Sequence, residues 1–285
     1  MKIVKSVKEM QEFSESLRNS GNRISFVPTM GYFHRGHLSL MEEGKKLGDY
    51  LVISIYVNPT QFGPGEDLEK YPRDFKKDRK LSEDIGVDAI FYPPDSEMYP
   101  EQYQTFVNVK GVTNNLCGLS RPGHFRGVTT ICAKLFNIVK PHVTIFGKKD
   151  FQQLVTIKRM TEDLNMDLEV VGMPTVREAD GLAMSSRNIY IKQEERESAL
   201  SLSRSLKFAK KLYDKKERNA DKIVSEVKKF IEGHPYTNID YIKICDTTTM
   251  EDVEHLEREA VIALAVQVGA ARLIDNYVFG EHLNL

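Results

Sequence analysis

Two histidines three residues apart, His34 and His37, follow an apolar run, Ile24-Ser-Phe-Val27, and a Pro28-Thr-Met-Gly31 segment. The pattern predicts a buried strand ending at Val27, a turn over Pro28–Gly31, and a helix starting around Gly36. In an open α/β sheet, ligands bind outside the carboxyl ends of the strands. A helix start there offers unpaired backbone N–H groups and a positive dipole end, which suits phosphate. Imidazoles three apart in a first turn share one side of the helix. They can donate hydrogen bonds to phosphate oxygens and follow charge onto a leaving group. Gly36 lets a nucleotide approach the backbone closely. The same spacing fits two plainer readings, helix-cap or surface histidines and half of a zinc site. No third zinc ligand stands at a suitable spacing. The chain has no GxxxxGK[ST] and no GxGxxG, which argues against a P-loop kinase and a standard dinucleotide-binding dehydrogenase.

Two further segments repeat this logic. Gly147-Lys-Lys-Asp150 follows the strand-like Val143–Phe146 and precedes a helical pattern. Lys148 or Lys149 can neutralise phosphate there, and Asp150 can cap the helix or hold a ribose. A solvated charged turn is the rival reading. Asp180-Gly-Leu-Ala-Met-Ser-Ser-Arg-Asn188 joins small hydroxyls to one guanidinium, a common phosphate grip, with a plain linker as its rival.

These residues need elements to hold them. Val27 belongs to a first half in which β-branched runs (Ile24–Val27, Leu51–Val57, Ala89–Tyr92, Val143–Phe146) alternate with amphipathic stretches. The stretches lie near residues 38–47, 75–85, 128–138 and 151–164. This reads as βαβ units around a buried parallel sheet. After Met173-Pro174 come two charged amphipathic helices, 192–213 and 220–232. Three strands follow, 239–245, 260–268 and 272–277, so a smaller α+β domain is expected. The predicted domains are 1–175 and 176–285. Forty Lys plus Arg against 41 Asp plus Glu give a net charge of −1 on 285 residues. That argues against a nucleic-acid binder with a broadly basic surface. Three scattered cysteines suggest free thiols in a reducing compartment. No apolar run approaches 18 residues, so a membrane span is not expected, nor is a signal peptide.

Taken together, these motifs resemble the HIGH and KMSKS signatures of the nucleotidyl-transfer superfamily that includes class I aminoacyl-tRNA synthetases. The closer resemblance is to the pantothenate synthetase (pantoate–β-alanine ligase) family. It is carried by Pro28–Gly31, His34-Arg-Gly-His37, Val57-Asn-Pro-Thr-Gln-Phe-Gly-Pro-Gly65, Tyr71-Pro-Arg73, Arg121-Pro-Gly-His-Phe-Arg-Gly127, Lys149-Asp-Phe-Gln-Gln153 and Asp180–Asn188.

The resemblance implies a Rossmann-like first domain, a C-terminal lid and a cytoplasmic homodimer. ATP and pantoate would give pantoyl adenylate and pyrophosphate, and β-alanine would then displace AMP. ATP contacts carry over to Met30, Gly31, His34, Gly36 and His37, to Gly147, Lys148, Lys149 and Asp150, and to Val176, Met184, Ser185, Ser186 and Arg187. Gln61, Gln153, Met30 and Asn58 fall on the pantoate and β-alanine side. His37 matches the family's proposed proton donor, and Mg²⁺ would accompany the ATP phosphates. The chain departs from the family pattern at Lys148 and Tyr32, and neither change removes a group the chemistry needs.

The chemistry suits these residue types. Pantoate's carboxylate is already ionised near pH 7 and needs no Ser or Cys nucleophile. The task is to bring two anions together and stabilise departing pyrophosphate, which is positioning and charge stabilisation. His34, His37, Lys149, Ser186 and Arg187 supply donors for that. Gln61 and Gln153 offer neutral donors and acceptors, which orient the nucleophile without ion-pairing it. His124 and Arg126 read equally as substrate-lining residues or as residues that hold a loop or a subunit contact, and Asp78 is a candidate metal-side carboxylate. Alternatives are a related HxGH nucleotidyltransferase, such as a phosphopantetheine adenylyltransferase-like enzyme, a truncated synthetase paralogue, and a non-catalytic nucleotide-binding module.

Overall fold

The computed structural model describes residues 1–283. In chain order the elements are β1 (Lys2–Val4), α1 (Val7–Asn19), β2 (Ile24–Thr29), α2 (Arg35–Leu47), β3 (Tyr50–Ile55) and α3 (Phe75–Ile85). There follow β4 (Ala89–Phe91), α4 (Asp95–Met98), α5 (Leu116–Ser120), α6 (His124–Val139), β5 (Val143–Gly147), α7 (Phe151–Asp163) and β6 (Glu169–Met173). The remainder is α8 (Arg196–Asp214), α9 (Ala220–Glu232), β7 (Thr237–Asp246), β8 (Ala260–Val268) and β9 (Ala271–Val278). Chain contacts divide these into two compact units. One comprises residues 1–109, 121–148 and 156–173, the other 110–120, 149–155 and 174–285.

The first unit is the predicted parallel α/β layer. Its six strands run in the order β1-β4-β3-β2-β5-β6, every pairing parallel. Strands covered on both faces are largely apolar, and Phe26, Val27, Leu51, Ile53, Ile90 and Ile145 are fully buried. Helix ends are fixed locally. Ser6 accepts from the Glu9 N–H at α1, and Asp74 accepts from the Lys77 N–H at α3. Gly44 lets α2 press onto the sheet, since a Cβ there would stand 2.7 Å from Leu51 Cδ1. The chain moves from β2 outward to β3 on one side and later returns to β5 on the other. The carboxyl ends of β2 and β5 therefore form a topological switch point.

The sequence reading leaves β1 and α1 unassigned. β1 spans three residues, too few to show a period. Its strand character comes from pairing with β4, Ile3 opposite Ile90.

The second unit is the smaller α+β piece. β7, β8 and β9 form an antiparallel sheet. Apolar residues of α8, α9 and this sheet share one cluster, with Leu202, Leu206, Ile223, Val227, Ile262 and Leu264 fully buried. Two short segments join this unit although they precede Pro174. Asn115 donates to the Met250 carbonyl (3.1 Å) and to Asp252 (2.6 Å). Gln152 accepts from the Cys117 N–H and donates to the carbonyls of Val112 and Asn115. Composition marks the break at Pro174, whereas side-chain hydrogen bonds set these two excursions.

Candidate active site

Within the first unit, the loop after β2 is built by one buried carboxylate. Gly31 has φ +84° and Tyr32 has φ +54°, both in the left-handed region. That is unstrained for glycine and uncommon for tyrosine. Asp78 of α3, 1% exposed, compensates by accepting the N–H groups of Tyr32 and Phe33, each at 2.7 Å. A Cβ on Gly31 would stand 2.9 Å from the same carboxylate. Burial pushes the Asp78 carboxyl above its ordinary range, against these two N–H groups, which favour the ionised form. Asp78 thus shapes the loop that delivers His34.

His34 is the N-cap of α2. Its Nδ1 accepts from the Gly36 N–H (3.1 Å), and His37 Nδ1 accepts from the His34 N–H (3.4 Å), a reciprocal capping arrangement. The cap reading and the chemical reading are therefore compatible. With each Nδ1 facing a donor, a neutral ring carries its proton on Nε2. Both imidazoles become Nε2–H donors, their ring centroids 4.1 Å apart, at the start of a helix.

Gln61 lies in a short 3₁₀ turn after β3 and is held from three directions. Its side-chain oxygen accepts from Asn58, and its amide nitrogen lies 3.3 Å from Met30 Sδ. Its carbonyl accepts from His124 Nδ1 (2.9 Å) and Arg121 (3.3 Å), with Arg121 fixed by Glu66. Asn58 is 1% exposed and also bonds the Gly127 carbonyl, Thr60 and the Tyr99 hydroxyl. It holds Gln61 in place. His124 thus holds the Gln61 loop, as one of the two readings open for it has it. Arg126 packs over the Phe106 ring at 3.9 Å. A cleft of about 870 Å³ opens in this unit beside these strand ends, and Met30, Gly31, Val57, Pro59 and Tyr92 are among its lining residues. Gly147 and Lys148 close the first unit's share at the end of β5.

The second unit holds Lys149, Asp150, Gln153, Val176 and Met184 through Arg187. Lys149 and Asp150 continue a 3₁₀ turn into α7, with Lys149 Nζ 3.7 Å from the Asp150 carboxylate. Residues 176–184 fold back as a small hairpin, Met184 N–H donating to the Val176 carbonyl. Ser185 then accepts from the Arg187 N–H and starts a turn over Ser186–Tyr190. Asn188 ties this turn to Glu178 and the Ala183 carbonyl, and Arg196 clamps Glu178 and Asp180. Two residues that sequence reasoning missed, Asp275 and Asn276 on β9, also hold these segments. Their signal was a polar pair flanked by the apolar residues Leu273, Ile274, Tyr277 and Val278.

A parallel sheet with paired imidazoles at the start of a helix beside its switch point is an arrangement suited to an enzyme that handles phosphate groups. The family model for pantoate-beta-alanine ligase matches residues 2–278. A pantothenate synthetase from Syntrophus aciditrophicus is 68% identical over 285 residues, covering 100% of both chains. One from Thermotoga petrophila is 54% identical, covering 98% of this chain and 100% of its own. The pantothenate synthetase structure from Thermus thermophilus superposes with a TM-score of 0.91 at 41% identity, covering 97% of this chain and 99% of its own. The Francisella tularensis enzyme, solved as a complex with beta-gamma ATP and beta-alanine, gives 0.80 at 30% identity with 100% coverage of each. The chain belongs to the pantoate–β-alanine ligase family and is a ligase.

Proposed function

We propose that this chain condenses pantoate with β-alanine, converting ATP to AMP and pyrophosphate through pantoyl adenylate. The observation that carries the reading is the family match over residues 2–278, combined with two histidines at the start of α2 whose Nδ1 atoms each face a backbone N–H, which favours Nε2 as the donor. A pantoate carboxylate oxygen attacks the α-phosphorus, and the bond to the oxygen bridging to the β-phosphorus breaks. His34 and His37 stabilise the growing negative charge, with His37 donating toward the departing pyrophosphate. Lys149, Ser186 and Arg187 serve the triphosphate. Gln61 and Gln153 orient pantoate, and Asn58 acts through Gln61. The amine of β-alanine then attacks the acyl carbon, loses a proton and displaces AMP.

In this reading Met30, Gly31, Gly36, Gly147, Lys148, Asp150, Val176, Met184 and Ser185 complete the nucleotide contacts, and the second unit acts as a lid. Among the described residues no group of three or more His, Cys, Asp or Glu side chains gathers as a metal site. Mg²⁺ in this proposal arrives on the ATP phosphates, as is usual for an ion that keeps several waters. The enzyme is proposed to be a cytoplasmic homodimer, and its three cysteines are free thiols. Among the described residues no helix is long and apolar enough to cross a membrane.

The test is a product assay. Purified protein with ATP, Mg²⁺, pantoate and β-alanine should yield AMP, pyrophosphate and pantothenate. ADP and phosphate as products, or no turnover, reject the reading.

A further inference from the structure

We propose that Asn276, with Asp275 beside it on β9, positions Lys149 and the 176–187 hairpin for adenylate formation. The inference rests on the assignment of Lys149 to the triphosphate. Both residues are polar yet buried, Asp275 2% and Asn276 8% exposed. Buried polar groups are retained where they are hydrogen-bonded, so the partners show what they hold. The Asn276 amide donates to the Lys149 carbonyl at 2.8 Å. Asp275 receives Arg177 through two parallel bonds, 2.6 and 2.9 Å, and also accepts from the Asn276 N–H at 2.9 Å. Arg177, only 7% exposed at its side chain, also donates to the Gly181 carbonyl within the hairpin.

Two adjacent strand residues therefore fasten two segments remote in sequence. One begins with Lys149, and the other ends in Ser185-Ser186-Arg187. A lysine ammonium swings on a flexible four-carbon stem, so fixing its own carbonyl narrows the volume the ammonium sweeps. Small misplacements of a charge-stabilising group are costly to rate even when binding persists. Asp275 and Asn276 touch no reacting atom in this proposal, and both are positioning residues.

The experiment is a double-mutant cycle between Asn276 and Lys149, read as single-turnover adenylate formation. Asp275 is not the residue to remove, because its loss leaves Arg177 buried without its counter-charge and is expected to unfold the unit. Asn276→Ala should slow adenylate formation about tenfold or more while leaving the pantoate KM within about twofold. In a Lys149→Ala background, the same change should add less than about twofold, because its route to the reaction is already gone. Asn276→Leu, similar in shape but without the donor, takes its place if the alanine variant does not fold. A wild-type rate for the folded Asn276 variant overturns the inference, and so does a loss that multiplies fully with that of Lys149→Ala. A wild-type rate for Lys149→Ala alone overturns instead the assignment of Lys149 on which the inference stands.

Discussion

In the proposed mechanism a single imidazole at the start of α2 has two jobs, and the two ring nitrogens separate them. His34 Nδ1 caps the helix, and its Nε2–H is the donor assigned to phosphate. Asparagine places an acceptor close to Nδ1 and nothing at Nε2. His34→Ala should therefore lower the melting temperature through loss of a cap, a cost of about 1 kcal/mol, and also slow adenylate formation. His34→Asn should melt near the parent protein and be just as slow. A full rate for the asparagine variant would remove Nε2 from the mechanism. His37→Ala should slow adenylate formation by about 10²-fold, the scale of losing one preorganised donor, while pantoate binding changes little. Quench-flow rates together with pantoate titration check both halves of that statement.

At the scale of elements, the 3₁₀ turn carrying Gln61 is pressed against α6. A Cβ on Gly127 would stand 2.4 Å from the Thr60 carbonyl oxygen and 2.6 Å from the Gln61 nitrogen. These are backbone atoms and cannot rotate away. Gly127→Ala should push the turn off its seat, raise the pantoate KM and destabilise the fold by about 1–3 kcal/mol. Unchanged KM and melting temperature would show that the turn yields freely.

The start of α9 makes a prediction about acid. Lys222 holds the Glu217 carboxyl down at about 2, helped by the N–H groups of Asn219 and Arg218. A folded-state value below the unfolded one of 4.5 means that the stabilisation is complete above pH 4.5. It is lost as pH falls from there toward 2. The difference in melting temperature between parent and Glu217→Gln should therefore shrink as pH drops through that window. A difference independent of pH would detach Glu217 from the acid response. Its partner Lys222 is largely exposed, so added salt should weaken the effect.

For the molecule as a whole, each compact unit has its own apolar cluster, one around the β2, β3 and β5 strands and one beneath α8 and α9. The proposed homodimer is checked by mass. Sedimentation equilibrium should give twice the 32.6 kDa of the chain across micromolar concentrations, and a single-chain mass there would reject it.

The sequence by itself determined the parallel layer, the order of helices and strands after Pro174, and the placing of His34 and His37 at the start of a helix. Those features have local causes. Ile24–Val27 is apolar at every position but one because a strand covered on both faces must be, and the histidine spacing is a property of one helix turn. What only the tertiary structure decided is what each polar group holds. Asp78, read from sequence as a metal-side carboxylate, spends both oxygens on the Tyr32 and Phe33 N–H groups, 46 and 45 residues away. His124 holds the Gln61 carbonyl across 63 residues, and Asn276 reaches Lys149 across 127. The grouping of 110–120 and 149–155 with the second unit has the same origin. Hydropathy and spacing repeat over a few residues and can be read along the chain. A hydrogen bond between distant segments leaves no period in the sequence, because its partner is chosen only when the chain has folded.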